Sequence, residues 1–344
     1  LFTHDLSKIE AELTLYKGKD IGLSANDTPK KIQNLMKKHK IWVCNLANPI
    51  LGWKAVKNPI ELQCFRNAHQ RDAVAMCKFL YWLEHNWQGQ TELSVVDKLY
   101  AFRSQNKAFR DLSFGTIAAF GANGAIVHYQ PAPSTNSELK AGSVLLLDSG
   151  AQYFDGTTDI TRTIAIVNAP DEIIASFTQV LKAHIAAASA KFPTGTSGLA
   201  VDTIARSQLW RFGKDYNHGT GHGVGLYGNV HEGPVSLSRR GKYPLEVGHV
   251  TSIEPGYYVA GQYGIRIENL FYVIADDMPA PTCPMLKFAP LTLVPIDKRL
   301  INKYLLTDQE LDWLNHYHQQ VWQTISPLLD ADTQNWLKEA CSPL

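Results

Sequence analysis

Apolar residues recur at helical spacing in several stretches of the chain. Leu62, Phe65, Met76, Phe79, Leu80 and Leu83 predict a long helix with one buried stripe. Asn58 stands at its N-cap and Pro59 at its first helical position. A second helix is predicted from Thr91 to about Ser104. Ile173, Phe177, Val180, Leu181 and Ile185 mark an amphipathic helix over 170–190, and another is expected over 198–212. Near the end, Thr307-Asp-Gln-Glu310 reads as a capping box. Leu311, Leu314, His318, Val321, Trp322 and Ile325 follow on one face. That face holds more aromatic surface than a solvated helix needs, so the tail should pack on the domain or on another subunit.

The rest of the pattern is of strand type. Residues 113–130 read as strands with a turn at Gly121-Ala-Asn-Gly124, ending at His128. Val144 to Thr163 reads as a hairpin, and so does Val250 to Val273. Each hairpin carries two acids and is preceded by helices, which suggests a duplicated half-domain. Residues 32–40 are basic with a helical pattern, and Ile41 to Cys44 read as a short strand. Residues 45–57, with Pro49 and Gly52, read as a boundary. The chain begins at Leu1, in what reads as mid-domain sequence, so an N-terminal part is expected to be missing.

Composition changes the picture by exclusion. The chain has 344 residues, 45% hydrophobic and 19% charged, enough for one large domain or two. With a net charge of +1 and no basic block, neither nucleic acid nor a membrane surface is indicated. Cys44, Cys64, Cys77, Cys283 and Cys341 are odd in number and widely spaced. They suggest neither a disulfide framework nor a thiolate zinc site, and a reducing, cytoplasmic compartment is expected.

The candidate chemistry sits in the hairpins and between them. Asp148 ends an apolar run and Asp159 opens a β-branched one. At similar distances from the hairpin tip, they are expected to face each other. Turn chemistry accounts for Asp155-Gly156 but not for these two. Glu254 and Glu268 are equidistant from Gly261 and are expected to converge in the same way. Buried carboxylates brought together need a cation between them. Between the hairpins runs His218-Gly-Thr-Gly-His222-Gly-Val-Gly, followed by His231. Its glycines argue against a helical zinc motif and for close approach of backbone to a crowded site. Four carboxylates and a histidine suit two hard divalent ions such as Mn²⁺, Co²⁺ or Mg²⁺.

Asp148-x₁₀-Asp159, the Gly-rich histidine block, Glu254-Pro-Gly and Arg266-Ile-Glu268-Asn together resemble the ligand order of the pita-bread metallopeptidases. Asn229-Val-His-Glu-Gly-Pro and the tail motifs Pro290-Leu-Thr-Leu-Val-Pro-Ile and Leu311-Asp-Trp-Leu-Asn are similar to the long aminopeptidase P type. The resemblance implies an α+β pita-bread fold over residues 53–344, with a helical extension from about 290. Residues 1–52 would be the end of a creatinase-like middle domain. It implies two metal ions, manganese first with cobalt or zinc as alternatives, held by Asp148, Asp159, His222, Glu254 and Glu268. Glu254 would also be the general base, and His231 and His128 would bind the substrate carbonyl. His218, Tyr258 and Arg266 would shape a proline pocket. The implied activity is removal of an N-terminal residue that precedes proline, by a homodimer. A prolidase is the nearer alternative, and a non-catalytic peptide-binding module the more distant one.

Overall fold

The computed structural model describes residues 5–279 and 281–344. The chain divides into two compact units, Leu1–Lys54 and Ala55–Leu344. The first contains α1 (Ile9–Thr14), β1 (Asp20–Leu23), α2 (Lys30–Lys38) and β2 (Trp42–Asn45). The two strands pair in parallel, Asp20 opposite Trp42, so their connection must cross over, and α2 is that crossover. The stretch read as a boundary contains a helix, α3 (Pro49–Ala55), with proline as its first residue.

The second unit repeats one plan twice, a pair of helices leading into a kinked hairpin. The first half contains α4 (Pro59–Asn86), α5 (Glu92–Ser104), β3 (Phe109–Leu112), β4 (Ile117–Phe120), β5 (Ser143–Ser149), β6 (Ala151–Tyr153), β7 (Gly156–Thr157) and β8 (Ile160–Ile166). The second contains α6 (Asp171–Ala188), β9 (Lys191–Pro193), α7 (Gly198–Trp210), β10 (Gly221–His222), β11 (Ser236–Leu237), β12 (Val250–Ile253), β13 (Gly256–Val259), β14 (Tyr263–Arg266), β15 (Asn269–Asp276) and β16 (Met285–Pro290). Strands β4-β5-β8 form one antiparallel sheet and β12-β15-β16-β9 another. The halves meet where Thr161 bridges to Glu268.

Helix starts follow the sequence closely. Asn58 Oδ1 accepts from the N–H groups of Ile60 and Glu61, while Glu61 Oε2 accepts from Asn58 N. Phe79 and Leu83 of α4, Leu145 and Leu147 of β5, and Phe177 and Leu181 of α6 lie in one core.

One expectation fails. The turn expected at Gly121–Gly124 is present as a 3₁₀ turn over Gly121–Ala125, but within 113–130 only Ile117–Phe120 is strand, and the strand expected after the turn is absent. The buried Glu92 carboxylate takes Phe120 N, and Gly121 adopts φ +54, so the ladder cannot continue.

The tail forms α8 (Asp308–Ile325) and α9 (Ala331–Ala340). The expected capping box is present at Thr307 and Glu310. Leu314, His318, Val321 and Ile325 are buried against this same unit. His318 Nε2 accepts from Ile296 N at 3.1 Å, which fixes the ring as neutral.

Burial pushes the imidazoles of His318 and His184 down to about 3. An unfolded histidine titrates near 6.5, so between those values the unfolded chain binds more protons and stability falls as pH drops. At pH 5 each ring should cost about 2 kcal/mol relative to neutral pH. Urea midpoints at pH 7 and 5 should therefore diverge less in His318→Gln, which keeps an acceptor for Ile296. Equal divergence in the variant would mean that His318 is not held neutral.

Candidate metal centre

Both hairpins break close to their acids. The β5/β8 ladder runs from Ser143–Ile166 to Ser149–Ile160, and the β6/β7 pair continues beyond a gap. The β12/β15 ladder ends at Ile253–Asn269, and the β13/β14 ribbon resumes at Gly256–Arg266. Glu254 and Glu268 therefore stand opposite each other at a kink, in the register read from the sequence. Asp148 and Asp159 do not. Asp148 pairs with Thr161, which offsets Asp159 toward the tip. The two acids are diagonal neighbours, and the Asp148 charge still raises the Asp159 carboxyl.

His222 completes the cluster. Its Nε2 lies 3.4 Å from Asp159 Oδ2 and 3.4 Å from Glu254 Oε1. Asp159, His222 and Glu268 each offer a ligand atom within 4.8 Å of the others. His222 sits in the short strand β10, paired with β11, and Gly223 bridges to Thr251. A side chain on Gly221 would strike the Ser252 carbonyl, so the strand reaches this depth only because it carries glycine.

The electrostatics fit a cation. Burial first, then the charges of Asp148 and Glu254, raises the Asp159 carboxyl well above the usual range. Glu268 is raised by burial and by Asp159 and Glu254. Burial also raises Glu254, against the opposing pull of His222 and Arg266. Asp148 Oδ1, Asp159 Oδ1 and Glu268 Oε1 are buried with no hydrogen-bond partner among the described residues. Mutually repelling acids with unused inward oxygens are what a divalent ion satisfies.

The remaining candidates surround this cluster. Arg266 is buried and spends its guanidinium on Asp148 Oδ2 at 2.6 Å, the Tyr258 hydroxyl at 2.7 Å and the Val127 carbonyl at 3.4 Å. Tyr258, pushed up to about 12 by burial, also contacts His218 Nε2 at 2.8 Å. Burial, with Arg266 nearby, pushes His218 down to about 3, so its ring is neutral. His231 meets His222 edge to face, ring centroids 4.0 Å apart. His128 is exposed.

Several supporting residues carried no separate signal in the sequence. Thr161 Oγ1 donates to Glu268 Oε2 at 2.8 Å. Ser252 Oγ donates to Glu254 Oε1 at 3.1 Å and accepts from His222 N. Thr220 O accepts from Glu254 N at 2.7 Å. The alternation Thr161-Arg-Thr163 inside an apolar strand was the available hint.

Residues 63–275 match metallopeptidase family M24, and 284–344 match the C-terminal region of peptidase M24. Aminopeptidase P2 of Arabidopsis thaliana is 48% identical over 307 residues, covering 87% of this chain and 43% of that protein. Xaa-Pro aminopeptidase 1 of Dictyostelium discoideum is 42% identical over 326 residues, covering 91% and 51%. The chain thus spans about half the length of the curated relatives it matches. Among solved structures, X-prolyl aminopeptidase from Caenorhabditis elegans superposes with a TM-score of 0.91 at 38% identity. The match covers 99% of this chain and 58% of that one, which is described as a cytosolic enzyme with a di-nuclear active site. Xaa-Pro dipeptidase from Bacillus anthracis, at 24% identity and TM-score 0.70, shares the fold. The duplicated α+β architecture is the pita-bread fold, and the chain belongs to metallopeptidase family M24.

Proposed function

We propose that the chain is the catalytic part of a manganese-dependent Xaa-Pro aminopeptidase, which releases the first residue of peptides with proline second. The observation that carries this reading is the convergence of acids from both halves on His222, three of them with a buried oxygen that has no hydrogen-bond partner among the described residues. In this reading Asp148 would hold one ion, Asp159 and Glu268 would serve both, and His222 and Glu254 would complete the other. Such ions would acidify a water and polarise the scissile carbonyl. Glu254 takes the proton of the attacking water. His231 and His128 donate to the carbonyl oxygen as negative charge grows on it. His218, Tyr258 and Arg266 line the pocket for the proline ring, whose imide lacks an N–H and fixes φ.

Prolidase activity is the rival reading. A prolidase must hold a free carboxylate just past the proline. Arg266 is the cation nearest in sequence to the bridging Glu268, and its guanidinium already meets Asp148 and Tyr258, which favours the aminopeptidase. We further propose a cytoplasmic homodimer, a two-fold assembly being the commonest kind. Residues 1–52 we read as the end of a creatinase-like middle domain.

Two outcomes test this reading. Asp159→Asn and His222→Ala should each lose bound metal by elemental analysis. His231→Ala should keep its metal and lose about 10²–10³-fold in kcat. Equal metal loss in all three would mean that ligand and substrate contact have been confused. With Mn²⁺ added, Arg-Pro-Pro should be cleaved after arginine while Arg-Pro is a poor substrate. Preference for the dipeptide would transfer the assignment to prolidase.

A further inference from the structure

Glu92 is fully buried at the first position of α5, far in sequence from any of the clustered acids. A helix N-terminus favours an acid, yet this side chain does not cap its own helix. Instead Oε1 accepts from Phe120 N at 2.7 Å and Asn123 Nδ2 at 2.9 Å. Oε2 accepts from the Tyr129 hydroxyl at 2.8 Å and Ser137 N at 2.9 Å. All four neighbours donate, a pattern that suits a carboxylate. They are two backbone amides, a side-chain amide and a phenol rather than a cation.

A buried carboxylate without a cation is an expensive way to stabilise a fold. It is an effective way to fix geometry, because charge-assisted hydrogen bonds are short and directional. Phe120 and Ser137 are the two ends of a segment with little regular structure, and Asn123 and Tyr129 lie within it. One side chain thus pins that segment at both ends and in its interior. His128 stands next to Tyr129. On its other side, Val127 O accepts from Arg266, which also holds Asp148.

We propose that Glu92 is a positioning residue for His128, setting where that imidazole stands between Val127, whose carbonyl meets Arg266, and Tyr129, whose hydroxyl meets Glu92. The inference rests on the reading of His128 as a substrate contact. Glu92→Gln keeps the shape but turns an NH₂ group toward two of the donors. Tyr129→Phe leaves Glu92 intact and removes the hydroxyl next to His128 in sequence, with its contacts to Glu92, Asn123 and Thr135, and it serves if the first variant does not fold. Both should be compared with His128→Ala and with Glu92→Gln/His128→Ala. The readouts are kcat and KM on Arg-Pro-Pro, metal content, and the NMR signal of the His128 side chain.

With metal content unchanged, Glu92→Gln should lower kcat about tenfold or more. In the His128→Ala background the same change should cost less than about twofold. The His128 signal should shift or broaden in both single variants. A loss of the same factor with and without His128, or a His128 signal identical to that of the parent chain, would overturn the proposal. If the parent chain cleaves no Xaa-Pro peptide, the functional reading falls. The His128 signal still decides whether Glu92 places that ring.

Discussion

The guanidinium of Arg162 is the contact on which the rest of the large unit depends. It lies buried in β8 and donates to the carbonyls of Thr161, Glu268, Val294 and Pro295, to Asn269 Oδ1 and to the Tyr317 hydroxyl, at 2.7–3.1 Å. Those acceptors belong to the first hairpin, the second hairpin, the crossing segment after β16 and the tail helix α8. Few other groups could satisfy so many buried carbonyls from one point, since only arginine carries five donors in a rigid fork. Losing it would strand each acceptor away from water. The tail is therefore part of the site's support, reaching the backbone of Glu268 through Tyr317 and Arg162.

A second arginine braces the other side. Arg206 on α7 pairs with Asp202 and Asp215 and donates to the carbonyls of Tyr216 and His218. It holds the start of the Gly-rich block from behind, while Thr220 in that block accepts Glu254 N. These braces answer a specific difficulty. Four acids held close together push the chain apart, and the surrounding frame must resist that push whenever no cation is bound. Asp159, Glu254 and Glu268 stand where the ladders break, while Asp148 lies just inside its ladder, opposite Thr161.

Much of this was legible in the sequence, for identifiable reasons. Helix starts at Asn58 and Thr307 were readable because capping uses local residues at fixed offsets. The Glu254/Glu268 register was readable because the turn at Gly261 sets it. The Asp148/Asp159 pairing was misread by two positions because spacing alone does not show where a ladder breaks. The turn at Gly121–Gly124 was readable from its glycines, but the strand expected after it is absent, and β4 ends at Phe120, whose amide is taken by Glu92, distant in sequence. Arg162 was invisible as a support because four of its six acceptors are backbone carbonyls, which no side-chain motif marks, and Arg206 and Thr161 because their partners Asp215 and Glu268 are brought to them only by the fold.

The bridge between Thr161 and Glu268 joins segments that are distant in the chain, and it has a kinetic consequence. Neither acid of the second hairpin can meet those of the first until the two halves have docked. Contacts of this long-range kind are costly to close and are completed late. An interaction absent from the folding transition state acts on the unfolding rate alone. An ion held across this seam would leave the speed of folding untouched and lengthen the lifetime of the folded chain. Divalent supply would then govern how long each molecule lasts.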